Sequence, residues 1–248
     1  MNICLFSEDE IGKELKLKDE RAQHLIKILH KKEGDTFYAG IIGGRAGTAQ
    51  IEKISSEGTI SFSLTAQSDG KPLNPLKMII GFPRPIQLKR LLRDVAALGV
   101  CEVHLTGTDL GEKSYMQSTL VEKGNAYKML LDGTVQAGST HVPELFIHKK
   151  LDECLDVLEN AGEQKRILLA LDNVAPECGL GEALKKNATD GVKAIAAIGS
   201  ERGWTNRERE LLQNHGYILC GMGARIMRTE TAATVAGAII LNEMGVLK

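Results

Sequence analysis

The chain has 248 residues, 43% of them hydrophobic and 25% charged, with a formal net charge of −1. That composition is globular and long enough for two modest domains or one large one. It excludes a global basic field, so any nucleic-acid surface must be a local patch.

The amino terminus, MNICLFSEDEIGKEL, turns acidic early and lacks the basic start and apolar core of a signal peptide. "DERAQHLIKILHKKEG" predicts a helix with Ala22, Leu25, Ile26 and Leu29 on one face, stopped by Gly34. "GDTFYAGIIGGRAGTAQIEKISSEGTISFSLTAQ" then alternates β-type runs with Gly-rich turns, the pattern of a small antiparallel barrel or sheet. "SDGKPLNP", residues 68–75, is the candidate linker.

From about residue 76 the texture changes. "LKMIIGF" reads as a buried strand and "RPIQLKRLLRDVAALG" as a helix, with Pro85 near its start and Leu88, Leu91, Leu92 and Val95 at helical spacing. "CEVHLT" is a further strand and 114–137 a long helical segment. "KRILLALD", "KAIAAIG" and "YILCG" are three more strands. Such alternation predicts a mostly parallel sheet covered by helices. No apolar run approaches the roughly 18 residues needed to cross a bilayer. Cys4, Cys101, Cys154, Cys178 and Cys220 are odd in number and scattered, and read as reduced thiols of a cytoplasmic protein. The six histidines show no H-x-x-x-H spacing and no cysteine at zinc-finger distance, so no metal site is expected.

Ligands of open α/β sheets sit beyond the carboxyl ends of the strands. In "AAIGSERGWTNRERELLQNHG" a strand ends at Ile198, and Thr205 and Glu208 match a capping box that starts the next helix. Gly199 and Gly203 would admit a ligand to the backbone, or merely make a tight turn. In "GMGARIMRTETAATVAG" a helix starts near Thr229 or Glu230, with Ala232, Val235, Ala236, Ile239 and Ile240 as an apolar stripe. Core packing accounts for that helix but not for Arg225, Arg228 and Glu230, because charges buried at a strand end need partners or a purpose. Arg84, Lys89, Arg90 and Arg93 form a basic helix face, either simply solvated or contacting phosphates.

Together these stretches resemble the RsmE-type 16S ribosomal RNA uridine-N3 methyltransferases of the SPOUT class. That family's loops read I-G-P-E-G-G and L-G-x-R-I-L-R-T-E-T-A. Here they correspond to Ile198-Gly199-Ser200-Glu201-Arg202-Gly203 and to Met222-Gly223-Ala224-Arg225-Ile226-Met227-Arg228-Thr229-Glu230-Thr231-Ala232. Weaker matches include "HLIKILHKKEGD", "ALGV" and "VQAGSTHVPEL". The resemblance implies a PUA-like, RNA-binding β-barrel over residues 1–70. It further implies an α/β domain over 71–248 whose carboxyl-terminal part is a trefoil knot. It also implies a cytoplasmic homodimer, with no metal and no membrane, that methylates small-subunit ribosomal RNA. S-adenosyl-L-methionine would be held by Ile198, Gly199, Glu201, Gly203, Met222, Gly223, Ile226, Met227, Arg228 and Thr229. Arg225, Arg228 and Glu230 would be catalytic, unless Arg228 and Glu230 only form a structural ion pair. Arg84, Lys89, Arg90 and Arg93 would meet RNA.

The departures fall mostly on charges. Ala97, Leu110, Val135 and Ser139 stand where the family carries Glu, Arg, Glu and Arg, while Ser200 and Arg202 replace Pro and Gly in the first loop. If that family glycine has positive φ, Arg202 would carry backbone strain of about 1–2 kcal/mol. Two other readings follow: the same enzyme with a changed RNA target, or a non-catalytic RNA-binding or assembly protein. A nucleotide-dependent oxidoreductase is disfavoured, because no strand runs into G-x-G-x-x-G with an acidic residue about 20 positions on.

Overall fold

Short apolar runs punctuated by Gly and polar turns become strands, and longer runs of 3.6-residue period become helices. The computed structural model describes residues 2–118, 121, 123–160, 165–187 and 191–247. They fall into two compact units, Met1–Pro72 with Thr134–Val142, and Leu73–Gly133 with Pro143–Lys248.

The first unit holds β1 (Cys4–Phe6), a 3-10 turn at Glu8–Glu10 and α1 (Glu20–Gln23), which runs into a π-helical turn at His24–Ile28. β2 (Thr36–Ile41), β3 (Ala46–Ile54) and β4 (Ile60–Ser68) follow. The sheet order is β1-β2-β3-β4. β2, β3 and β4 pair antiparallel as expected. β1 departs from that pattern and lies parallel to β2, because the helical crossover between them returns the chain in the same direction. Phe6 stacks on Phe62 with ring centroids 4.6 Å apart, over a core that includes Leu25, Phe37, Ile51 and Ile60. Ala22 and Leu25 are buried as predicted, but Leu29 is 45% exposed. Its N–H donates to His24 O, five residues back, and this wider turn rotates Leu29 off the buried face. The helix breaks at His30, which has φ +51°, rather than running to Gly34.

The second unit runs β5 (Asn74–Gly81), α2 (Pro85–Ala97), β6 (Val100–Thr106), α3 (Lys113–Met116), α4 (Lys123–Ala137), β7 (Glu144–His148) and α5 (Leu151–Asn160). It continues through β8 (Arg166–Leu171), β9 (Cys178–Gly179), α6 (Leu180–Asn187), β10 (Lys193–Ile198), α7 (Asn206–Asn214), β11 (Ile218–Gly221) and α8 (Thr229–Glu243). The last turn of α4 belongs with the first unit. The seven strands take the order β7-β6-β5-β10-β8-β11-β9, and every pairing is parallel. Every strand therefore ends at the same edge. β5 and β10 lie inside the sheet, with Met78, Ile79, Ile80 and Ala194–Ala197 fully or almost fully buried, as continuous apolar strands of parallel sheets require. No described helix is long and apolar enough to cross a membrane.

Two helix expectations change. The segment 114–137 is two helices, parted where Ser118 Oγ donates to Tyr115 O at 2.9 Å and competes with helix continuation. Residues 119, 120 and 122 of that segment lie outside the described residues. On α8 the buried face is Ala233, Ala236, Gly237, Ile240 and Leu241, whereas Ala232, Val235 and Ile239 are half-buried. The small residues face the sheet. A Cβ on Gly237 would stand 2.7 Å from Met78 Cε and 3.0 Å from Leu98 Cδ1, so glycine sets how closely α8 packs.

Candidate cofactor and RNA site

The ends of β8, β10 and β11 gather three bends around a cavity of about 270 Å³. The bend after β10 contributes Ile198, Gly199, Ser200, Glu201, Arg202 and Gly203, and the bend after β11 contributes Met222, Gly223, Arg225, Ile226, Met227 and Thr229. The two bends touch, Thr229 Oγ1 donating to Gly199 O at 3.4 Å. Every residue expected to meet the cofactor lines this cavity except Arg228, which with Glu230 lies outside the lining. Leu171, Asp172, Asn173 and Val174 form a third wall that the sequence reading did not assign. The signal was present, since "KRILLALD" ends at the same sheet edge.

The first bend is held from several directions. Gly203 N–H donates to Ser200 O at 2.9 Å, closing a tight turn in which Gly203 carries the left-handed φ of +72°. Arg202 is outside the positive-φ region, so the strain that replacing the family glycine would bring does not arise. Trp204 Nε1 donates to Leu171 O at 3.0 Å and ties the bend to β8. The expected capping box forms: Glu208 N–H donates to Thr205 Oγ1 at 3.2 Å, and Thr205 N–H to Glu208 Oε2 at 2.9 Å. Glu208, fully buried, also accepts from Asp109 N–H at 2.8 Å. Arg209 reaches back to Asp172 in a bidentate pair at 2.8 and 3.1 Å. Burial alone would raise the Asp172 carboxyl, but the Arg209 guanidinium together with the Ala175 and Val174 N–H groups holds it below its ordinary value.

The second bend is open. Gly223, Ala224, Arg225, Ile226 and Arg228 are exposed, Ile226 at 81%. The two arginines are therefore not buried charges, contrary to the sequence reading; only Glu230, 6% exposed, is. Among the described residues none of the three forms an ion pair, so the Arg228–Glu230 bridge weighed from sequence is not made.

At the N-cap of α2, Arg84 pairs with the cavity residue Glu201 at 3.2 Å. Arg90 pairs with Asp94 at 3.5 Å and Arg93 with Asp132 at 3.0 Å, and none of the four basic residues, Lys89 included, lines the cavity. A second cavity of about 630 Å³ lies beyond β5, β6 and β7, walled by Thr108–Asp109, Glu112–Lys113, Lys149–Glu153 and Arg207. Arg207 grips Asp109 at 2.8 Å and keeps its carboxyl below the ordinary value. Leu110, where the family has Arg, is 37% exposed beside it.

A parallel sheet with a glycine-built cleft at its carboxyl edge agrees with the family comparison, in which an RNA methyltransferase domain matches residues 70–241. The fold is shared with a ribosomal RNA small subunit methyltransferase E from Neisseria gonorrhoeae, solved with S-adenosyl methionine, at a TM-score of 0.77 and 20% identity, covering 98% of this chain and 97% of that one. A probable rRNA-methyltransferase from Porphyromonas gingivalis gives a TM-score of 0.80 at 18% identity, with full coverage of both chains. The ribosomal RNA small subunit methyltransferase E of Treponema pallidum is 38% identical over 97% of this chain and 91% of its own length. The corresponding Borreliella burgdorferi protein, methyltransferase E 1, is 30% identical over 97% of each. The chain belongs to the ribosomal RNA small subunit methyltransferase E family.

Proposed function

We propose that the chain transfers the methyl group of S-adenosyl-L-methionine to N3 of a uridine in small-subunit ribosomal RNA. The observation that carries this reading is the meeting of bends 198–203 and 222–229 on one cavity. The residues fit an adenosyl group. Leu171, Ile198, Met222, Ile226 and Met227 offer apolar surface, and the buried Ser200 Oγ has no hydrogen-bond partner among the described residues. Gly199 and Gly203 on one bend and Gly223 on the other line the same cavity.

The cofactor supplies its own electrophilic methyl group, so the protein's work is position and electrostatics. Holding two reactants in line can contribute about 7–11 kcal/mol of the barrier. As N3 loses its proton, negative charge spreads to the flanking carbonyl oxygens. Arg225, which lines the cavity, and Arg228, just outside its lining, are exposed and make no ion pair among the described residues; they are the donors that would meet it, worth about 3–4 kcal/mol by analogy with oxyanion holes. Glu230, buried in the first turn of α8, would either orient an arginine or accept the N3 proton.

The proposal extends to a PUA-like barrel in the first unit, with Arg84, Lys89, Arg90 and Arg93 as RNA contacts, Arg84 first because it adjoins Glu201. It includes a trefoil knot through the two bends and a homodimer; the half-buried Ala232, Val235 and Ile239 and the exposed Ile226 and Val174 support a covering second copy. A changed RNA target is the second reading. Ala97 and Leu110 are exposed apolar residues at family charge positions, and Ser139 Oγ, at a family arginine position, is occupied with Lys71 O at 3.1 Å. Each missing charge-assisted contact would withdraw roughly 1.5–3 kcal/mol. Incubation with small-subunit RNA and labelled cofactor, followed by mapping of the methylated base, decides between the readings. No transfer, together with no calorimetric cofactor binding, rejects both.

A further inference from the structure

Spacing in the sequence predicts no metal site, yet the sheet assembles a compact donor set that the methyl-transfer reading leaves unused. His104 Nδ1 lies 2.9 Å from His148 Nε2, and Cys154 Sγ completes a group whose ligand atoms all fall within 4.8 Å of one another. All three residues are buried, at 1%, 8% and 0% exposure. The register explains the meeting. In the parallel pair β6–β7, His104 is opposite Phe146 and Thr106 opposite His148, which puts both imidazoles on one face; α5 carries Cys154 across that face. Cys154 otherwise packs as a small apolar side chain in a cluster with Leu151, Leu155, Leu158 and Ile79.

We propose that His104 Nδ1, His148 Nε2 and Cys154 Sγ bind a zinc ion, with a water in the fourth tetrahedral position. Glu102 points to it. Its Oε2 stands 3.1 Å from His104 Nε2, and Lys77 Nζ holds the same carboxylate at 3.0 Å. A carboxylate there places the proton on Nε2 and turns the Nδ1 lone pair toward the cluster, the outer-shell arrangement that orients metal-ligating histidines. Zinc with bonds of about 2.0–2.1 Å to nitrogen and about 2.3 Å to sulfur holds two nitrogens about 3.3 Å apart and nitrogen and sulfur about 3.6 Å apart, so the imidazoles part slightly and the Cys154 side chain closes in from within 4.8 Å. Binding releases the Cys154 thiol proton and moves the His148 ring proton to Nδ1, leaving a thiolate and two neutral imidazoles on the ion.

The test uses the full chain. Reduced protein is equilibrated with zinc chloride, desalted and analysed for metal content, and cobalt(II) is substituted as a spectroscopic probe. One zinc per chain is expected, with tetrahedral d–d bands and a thiolate-to-cobalt charge-transfer band that Cys154→Ser abolishes. Glu102→Gln, which leaves all three donors in place, weakens zinc binding about 10- to 100-fold. If Cys154→Ser fails to fold, the wild-type stoichiometry and cobalt spectrum decide alone. Sub-stoichiometric zinc in the wild type, a cobalt spectrum without the thiolate band, or zinc held equally by Cys154→Ser would overturn the site and leave a histidine–histidine hydrogen bond in an apolar core.

Discussion

The two bends that face each other across the cavity are built in opposite ways. The one after β10 is locked by Trp204 to β8, by the Thr205–Glu208 box to α7, by Glu208 to Asp109, and by the Arg209–Asp172 pair beneath it. The one after β11 is fixed at its ends, by Asp172 N–H donating to Cys220 O and by Thr229 to Gly199, while residues 223–226 between them are exposed. Local stability follows such differences in buried contacts and satisfied hydrogen bonds. The lesson is a division of labour. A preformed wall can orient a cofactor without ordering cost, and an open bend carrying two exposed guanidiniums can adapt to a polyanion or a second copy.

The largest test of that division is Arg209→Ala. It strands the buried Asp172 carboxylate, so it should cost about 3–5 kcal/mol in denaturant unfolding and weaken cofactor binding through the 171–174 wall. A loss below about 1 kcal/mol would mean the brace is idle. On the other wall, Arg225→Ala or Arg228→Ala should lower kcat about 100- to 1000-fold while calorimetric affinity for S-adenosylmethionine changes little. Full turnover in both variants would remove catalysis from the open bend. Thr205→Ala should cost about 1 kcal/mol by opening the capping box, with faster amide exchange in residues 200–204 and no change in 223–226.

The smallest effect is acid loosening of the braced wall, reported by the chain's one tryptophan, Trp204. Asp172 has a folded pKa below its ordinary 3.8, so its contribution is fully present above that value and drains away as pH falls through the lowered one. Trp204 fluorescence should therefore change below pH 3.8, and Arg209→Ala should move that change to higher pH. An unshifted transition would separate Asp172 from the brace.

Much of the site was legible because it is local. The runs "KAIAAIG" and "YILCG" are apolar enough to read as buried strands, Gly199 and Gly203 mark the turn, and Thr205 with Glu208 announces the helix start three residues ahead. What escaped is non-local or lies at edges. β7 is a five-residue edge strand, only its last residue, His148, buried, so it carries no clean alternation. The π-turn at His24–Ile28 leaves no periodic trace, since one added residue only rotates the face. Asp172 and Arg209 are 37 residues apart, and nothing in either neighbourhood names the other.

From sequence alone came the alternating parallel architecture and the two glycine bends, because each rests on short-range patterns of apolarity, capping and turn chemistry; the cofactor residues of those bends came from the family resemblance, and the 171–174 wall from neither. The family resemblance rested on the same short stretches. Only the tertiary structure decided which charges are exposed, which wall is braced, and that two histidines and a cysteine from β6, β7 and α5 share one buried spot. Strand order and register make those neighbours, and they are set by how the whole sheet packs rather than by any one segment.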